Sequence, residues 1–204
     1  MAVNTGKPES AVGAEERVEE LVAKAQGGCL LSYERLVEHF QDRLFTFLVQ
    51  LAGNAHDAED IAQETFVKAY LHLANFDGRA RFSTWLYAIG KNTAYNHLRR
   101  RKTHQPIEEL AEVLPAGEED TDPNDRESIW AAARTLKPKL FETLWLFYAE
   151  GFSLKEIAGI MKTSAITTRV NLHRARAALG RKLERTRAAG LAHGGRPSKI
   201  GGAI

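Results

Sequence analysis

The chain has 204 residues, 44% hydrophobic and 26% charged, with a net charge of +2, which allows one or two small folded domains. No apolar run reaches the roughly 18 residues that a membrane span requires, and Cys29, the one cysteine, excludes an internal disulfide and a cysteine-rich zinc site. Met1 to Gly13 lack a basic start followed by an apolar stretch, so no signal peptide and a cytoplasmic location are expected.

The small net charge conceals a strong division. Up to residue 102 there are 13 Lys/Arg and 13 Asp/Glu; 103–133 hold one Arg and nine acids; 134–204 hold 14 basic and four acidic residues. A neutral block, an acidic block and a basic block suggest two folded units and a linker. The basic end is where nucleic acid would be met.

In chain order, residues 1–27 read as an N-terminal extension and a first helix. Apolar residues then recur at helical spacing in 33–52 (Tyr33, Leu36, Val37, Phe40, Leu44, Phe47, Leu48, Leu51), in 57–74 (Ile61, Phe66, Val67, Tyr70, Leu73) and in 82–98 (Trp85, Leu86, Ile89, Leu98). Gly53-Asn54 and Asp77-Gly78 are turn signals between them. Asp57 is expected as an N-cap, with Asp60 in the first turn. Between 103 and about 125 the periodicity stops, and Pro106, Pro115 and Pro123 bracket acidic residues, as in a flexible linker. Helical pattern resumes at 127–136 and 139–150. Ser153 and Glu156 have capping-box spacing ahead of a short helix, 154–161. After a turn at Lys162–Ser164, a longer helix is predicted over about 165–186, and the glycines beyond mark 187–204 as a disordered tail. With no alternating run, the predicted fold class is all-α: two small helical domains, 28–102 and 127–186, joined by an acidic linker, 103–126.

Three constellations could carry function. A short helix, a tight turn and a basic second helix make a helix-turn-helix pattern. At 100° per residue, Thr168, Leu172, Ala175 and Leu179 share one face of the second helix, and Val170, His173, Arg174 and Ala177 lie opposite, with Thr167 and Arg169 to the side. Those groups, with Arg176, could meet phosphates and base edges; the plainer alternative is a solvated arginine-rich helix. Second, Arg79–Lys102 interleaves Phe82, Trp85, Tyr87 and Tyr95 with Arg81, Lys91, Asn92, Asn96, Arg99, Arg100, Arg101 and Lys102. Aromatics can stack on unpaired bases while cations follow the backbone; alternatively the aromatics are core and the arginines a solvated helix end. Third, Asp60, Gln63 and Glu64 form a polar ridge. No histidine completes a metal set at convincing spacing, so a protein-contact surface or a plain solvated face is expected. An exposed helical ridge also lacks the pocket that catalysis wants.

These three segments in this order resemble the extracytoplasmic-function sigma factors, over about 28–102 and 127–185. Asp57-Ala58-Glu59-Asp60-Ile61-Ala62-Gln63-Glu64-Thr65-Phe66 resembles the family's polymerase-gripping segment. Phe82-Ser83-Thr84-Trp85-Leu86-Tyr87-Ala88-Ile89-Gly90-Lys91-Asn92-Thr93, ending in Arg99–Arg101, resembles its promoter-melting and −10-reading segment. Glu150-Gly151-Phe152-Ser153-Leu154-Lys155-Glu156-Ile157-Ala158, followed by Leu172-His173-Arg174-Ala175-Arg176, resembles its −35-reading helix-turn-helix.

The resemblance implies a non-enzymatic transcription initiation factor of two domains, sigma region 2 and sigma region 4. It implies that Asp57, Asp60, Ile61, Gln63 and Glu64 bind the β′ clamp of core RNA polymerase, with a further contact to the β flap. It implies −10 contacts from Asn75, Phe76, Arg79, Phe82, Lys91, Asn92, Asn96, Arg99 and Arg100. Contacts at −35 would come from Thr167, Arg169, Val170, His173, Arg174 and Arg176. An anti-sigma partner is a family expectation, and membrane insertion is not expected. The chain departs from the family pattern at Pro138, one place late, at Phe141 in place of a common arginine, and at Ile166, Thr168, Val170 and Asn171 in the recognition helix, so the −35 preference cannot be transferred. The rival readings are a stand-alone helix-turn-helix regulator, which leaves 57–101 without a purpose, and a helical adaptor, which does the same to the basic third.

Overall fold

A computed structural model describes residues 10–104 and 126–193. Among these there are eight α-helices, one 3₁₀ turn and no strand, so the all-α expectation holds. The helices are α1 (Ser10–Gln26), α2 (Leu30–Ala52), α3 (Ala55–His72), α4 (Phe82–His104), α5 (Arg126–Arg134), α6 (Pro138–Tyr148), α7 (Leu154–Met161) and α8 (Ala165–His193), with the 3₁₀ turn at Leu73–Asn75 after α3. The acidic segment expected to be a linker falls mostly on 105–125, outside the described residues. Thr103 and His104 still belong to α4. At the other end α8 runs to His193, past the expected end at 186, because neither proline nor a sustained polar break interrupts 187–193.

Two compact units are present. The first is built from α1–α4. Its core is the apolar stripe of α2, with Leu36, Phe40, Leu44, Phe47 and Leu48 all buried, against Ala58, Ile61 and Ala69 of α3 and Leu86, Tyr87 and Ala94 of α4. Each large side chain so buried contributes about 1.5–3 kcal/mol. Helix α2 ends where Gly53 adopts φ 81 and returns its N–H to the Val49 carbonyl, a left-handed cap that suits glycine. The N-cap of α3 is Asn54: its side chain accepts the Asp57 N–H at 2.8 Å. The expectation that Asp57 is the cap is therefore corrected by three residues; both side chains are suited to the role, and the turn after Gly53 decides between them. Gly90 permits close packing of α4, since a Cβ there would stand 3.1 Å from Leu44 Cδ1.

The second unit is built on α5, α6, the first turn of α7, and α8. Pro138 sits at the start of α6, where its missing N–H costs nothing. Phe141 is buried beside Trp145, ring centroids 6.0 Å apart, and Trp130 of α5 packs on Trp145 at 4.7 Å. Thr168, Leu172 and Ala175 of α8 are buried as helical phase requires. The box ahead of α7 forms: Glu156 accepts the Ser153 N–H at 2.8 Å, and the Glu156 N–H reaches Ser153 Oγ at 3.3 Å. Ser164 caps α8 in the same way, accepting the Thr167 N–H at 3.0 Å.

Candidate nucleic-acid and protein interfaces

On α3, Asp60, Gln63 and Glu64 are displayed as a ridge, with Asp60 and Gln63 exposed and Glu64 paired to Lys68 at 2.6 Å. Helical phase carries the same face on to Val67 and Leu71, which are 59% and 68% exposed. Tyr70 lies beside them, 4.9 Å from Tyr33 on α2. The surface is therefore half polar and half apolar; helical spacing alone does not tell an exposed apolar position such as Val67 from a buried one such as Ile61.

Two residues expected on this surface are not on it. Ile61 is wholly buried, because its phase points into the α2–α4 core. Asp57 has only 14% of its side chain exposed and pairs with Arg101 at 2.5 Å. Burial raises its carboxyl, but the Asn54 hydrogen bond and the Arg101 and His97 charges outweigh this and hold it below the ordinary 3.8. Ile61 is thereby corrected from a contact residue to a core one, and Asp57 is turned from the exposed ridge toward α4.

The turn after α3 carries Asn75 and Phe76. Its shape is set from α1: Gln26 Nε2 donates to the Leu73 carbonyl at 3.0 Å and to the Phe76 carbonyl at 2.8 Å. Asp77 accepts the Arg79 N–H at 3.1 Å and pairs with the Arg79 guanidinium, whose side chain is 89% exposed. Asn75 is exposed and Phe76 half-buried. Phe76 packs on Trp85 (5.1 Å) and Phe82 (5.9 Å), and Phe82 on Phe40 (5.5 Å). Phe82 is 5% exposed, so it is corrected from a base contact to a support of the Phe76–Trp85 wall. The exposed aromatic of α4 is Tyr95, with Lys91 4.8 Å above its ring. Lys91, Asn92, Tyr95, Asn96 and Arg99 fall within about 140° of one another around the helix; Lys91 and Asn92 are half-buried and Asn96, Arg99, Arg100 and Arg101 exposed. Tyr95 and Arg101, named in the interleaved segment but not among the implied −10 contacts, are also exposed here.

On α8, Thr167, Val170, His173 and Arg174 form one exposed face. Val170 is 40% exposed, and Ile166, one turn before it, is 78% exposed. Thr167 shares its hydroxyl with Ser164 Oγ at 2.9 Å. Arg169 is exposed at the edge. Arg176 lies on another side, its guanidinium over the rings of Phe147 (5.5 Å) and Tyr148 (5.4 Å) of α6.

Residues 36–104 match the family Sigma-70 region 2, and residues 126–179 match Sigma-70, region 4. Among curated proteins, the RNA polymerase sigma-H factor of Pseudomonas aeruginosa is 33% identical over 184 residues, covering 83% of this chain and 95% of that protein. The ECF RNA polymerase sigma-E factor of Escherichia coli is 30% identical, covering 80% and 93%. The chain belongs to the extracytoplasmic-function sigma factors. Among solved structures, the sigma factor RpoE of Bartonella quintana, in complex with the anti-sigma factor NepR, is similar at TM-score 0.60 and 25% identity over 74% of this chain and 96% of that one. CnrH, in complex with the cytosolic domain of CnrY, shares the fold at TM-score 0.63 and 22% identity over 83% and 98%.

As a sigma factor, the protein directs transcription initiation at promoters. The stand-alone regulator is not favoured, because a family match to 36–104 gives the first unit a purpose that a lone helix-turn-helix reader leaves unexplained. Among the described residues of this sigma factor, no helix is long and apolar enough to cross a membrane.

Proposed function

We propose that the sigma factor grips the β′ clamp with the α3 face, captures −10 bases with the turn at 75–79 and the exposed side of α4, and reads −35 with α8. The observation that carries this reading is the separation of faces. The residues expected to meet a partner and found exposed fall on three surfaces of contrasting chemistry, while Ile61, Asp57 and Phe82 turn inward.

On α3 the clamp contacts are Asp60, Gln63 and Glu64, extended by Val67 and Leu71. An apolar stretch rimmed by charge is the usual make-up of a protein-binding patch. On the first unit's DNA side, Asn75, Phe76 and Arg79 frame a place for a flipped base, and Lys91, Asn92, Tyr95, Asn96, Arg99 and Arg100 hold the strand by hydrogen bonds, stacking and charge. On α8, Arg174 can donate two hydrogen bonds to a guanine edge, while Ile166 and Val170 offer only methyl groups, which suit a thymine methyl. Thr167, Arg169 and His173 serve as phosphate contacts that fix register.

Melting is then driven by binding energy alone. The polymerase performs the chemistry, and this chain needs no metal, cofactor or catalytic residue. The two domains, 28–102 and 127–186, act on separate promoter elements, with 103–126 as the tether and a further contact to the β flap. The working location is the cytoplasm. By analogy with the RpoE–NepR complex, an anti-sigma factor would cover the apolar part of the α3 surface when polymerase is absent.

Run-off transcription with core polymerase on genomic DNA tests the proposal. Discrete promoter-dependent transcripts are expected only when the chain is added. A promoter footprint by the chain without polymerase, and no transcripts with it, would overturn the reading.

A further inference from the structure

Asp57 lies in the first turn of α3 and is tied to the far end of α4. Its Oδ2 accepts Arg101 Nη1 at 2.5 Å and Asn54 Nδ2 at 2.9 Å, and its Oδ1 is 3.5 Å from His97 Nε2. Residues 44 apart in sequence are thereby joined. The pair is lopsided in exposure: 14% of the Asp57 side chain meets solvent, against 45% for Arg101. A mostly buried carboxylate thus holds one nitrogen of a guanidinium that has further N–H donors and a side chain nearly half exposed. Arg101 continues the run Arg99–Arg100, both exposed.

We propose that Asp57 is a positioning residue for promoter melting: it fixes Arg101 at the end of α4 as a contact to the DNA backbone, and so ties the helix that grips polymerase to the helix that holds the opened strand. The inference rests on the reading of α4 as the −10 surface. The physical reason is preorganisation. A free arginine must give up rotamer freedom when it meets a phosphate, and an arginine already held by a carboxylate has given up much of it. Because Asp57 also fixes Asn54, the cap of α3, the start of the clamp helix and the end of the DNA helix share one anchor.

The test uses reconstituted holoenzyme with three readouts: affinity for core polymerase, rate of open-complex formation by permanganate reactivity, and melting temperature of the free chain. Asp57→Asn is expected to leave core affinity unchanged and to slow open-complex formation about fivefold, as suits a charge-assisted contact with one partly buried partner. Arg101→Gln should do the same, and the two together should be no worse than Arg101→Gln alone. The exchange Asp57→Arg with Arg101→Asp separates positioning from mere stability: it should recover only that part of the melting temperature which the 57–101 pair carries, since an arginine cannot accept from Asn54, and none of the rate, because an aspartate at the end of α4 repels phosphate. Recovery of the rate by the exchange, or a fall in core affinity with Asp57→Asn, would overturn the inference. Asn96→Ala serves as the control for the parent reading. An unchanged rate there would overturn the assignment of α4 and this inference with it, whereas dependence on Asn96 without dependence on Asp57 would overturn this inference alone.

Discussion

The guanidinium of Arg176 on α8 lies 5.5 Å from the ring centre of Phe147 on α6, with Tyr148 on the same guanidinium at 5.4 Å. The helix proposed to read −35 is thus held to α6 by an arginine of the same basic run, on another side. Such a contact is worth about 0.5–1 kcal/mol at an exposed site. Arg176→Ala is therefore expected to lower the stability of the second unit by about that much and to leave −35 base preference intact. Arg174→Ala should do the reverse, relaxing one guanine position by about 1–3 kcal/mol with little loss of stability. Val170→Ser and Ile166→Ser should each alter preference at one position at a stability cost within about 0.5 kcal/mol. A randomised −35 selection beside a melting curve decides all four; altered preference in Arg176→Ala alone would exchange the two roles.

The α3 surface makes a prediction about core affinity. Asp60→Ala with Glu64→Ala should weaken assembly with core polymerase while helicity is retained, since exposed charges contribute within about 0.5 kcal/mol to stability. Val67→Ser with Leu71→Ser should weaken it further, because apolar side chains 59% and 68% exposed lose nothing from the core. Titration of core polymerase measures both. Unchanged affinity in both double variants would move the clamp contact off α3.

Gln26 supplies a prediction at a distance from DNA. Its amide donates to two carbonyls of the turn that carries Asn75 and Phe76. Gln26→Ala removes both donors, at about 0.5–1.5 kcal/mol for each bond, and loosens the turn. Open-complex formation should fall as it does for Asn75→Ala and Arg79→Ala, with initial promoter binding preserved. Normal permanganate reactivity in Gln26→Ala would show that the turn keeps its shape without this tie.

Tyr33 makes a pH prediction. Its hydroxyl donates to the Phe66 carbonyl at 2.6 Å, and burial pushes it up from 10.0 to about 12. A folded value above the unfolded one favours the neutral form. The resulting stability is fully present below pH 10 and is lost as pH rises from 10.0 through about 12. Tyr33→Phe should therefore cost about 1 kcal/mol at neutral pH and flatten the alkaline part of the unfolding profile. An equally steep alkaline loss in Tyr33→Phe would place the titration on another group.

Much of this protein was determined by local pattern. The spacing of Leu36, Phe40, Leu44 and Phe47 dictates a helix with one buried stripe, and those residues are buried, because periodicity is a property of the chain before it folds. The box Ser153–Glu156 and the exposed phase of Val170 and Arg174 were legible for the same reason. The family was legible because three short segments kept their residue types in order. What the tertiary structure alone decided is which member of a suitable set faces inward. Asp57 and Asp60 are both acids near the start of α3, and only the arrival of Arg101 from 44 residues away turns one into an anchor. Phe82 and Tyr95 are both aromatics of α4, and only the approach of Phe40 and Phe76 buries the first. Arg174 and Arg176 are two residues apart, and only α6 assigns the second to packing. In each case the deciding partner is remote in sequence, so no reading of residue type and local spacing could have chosen between them.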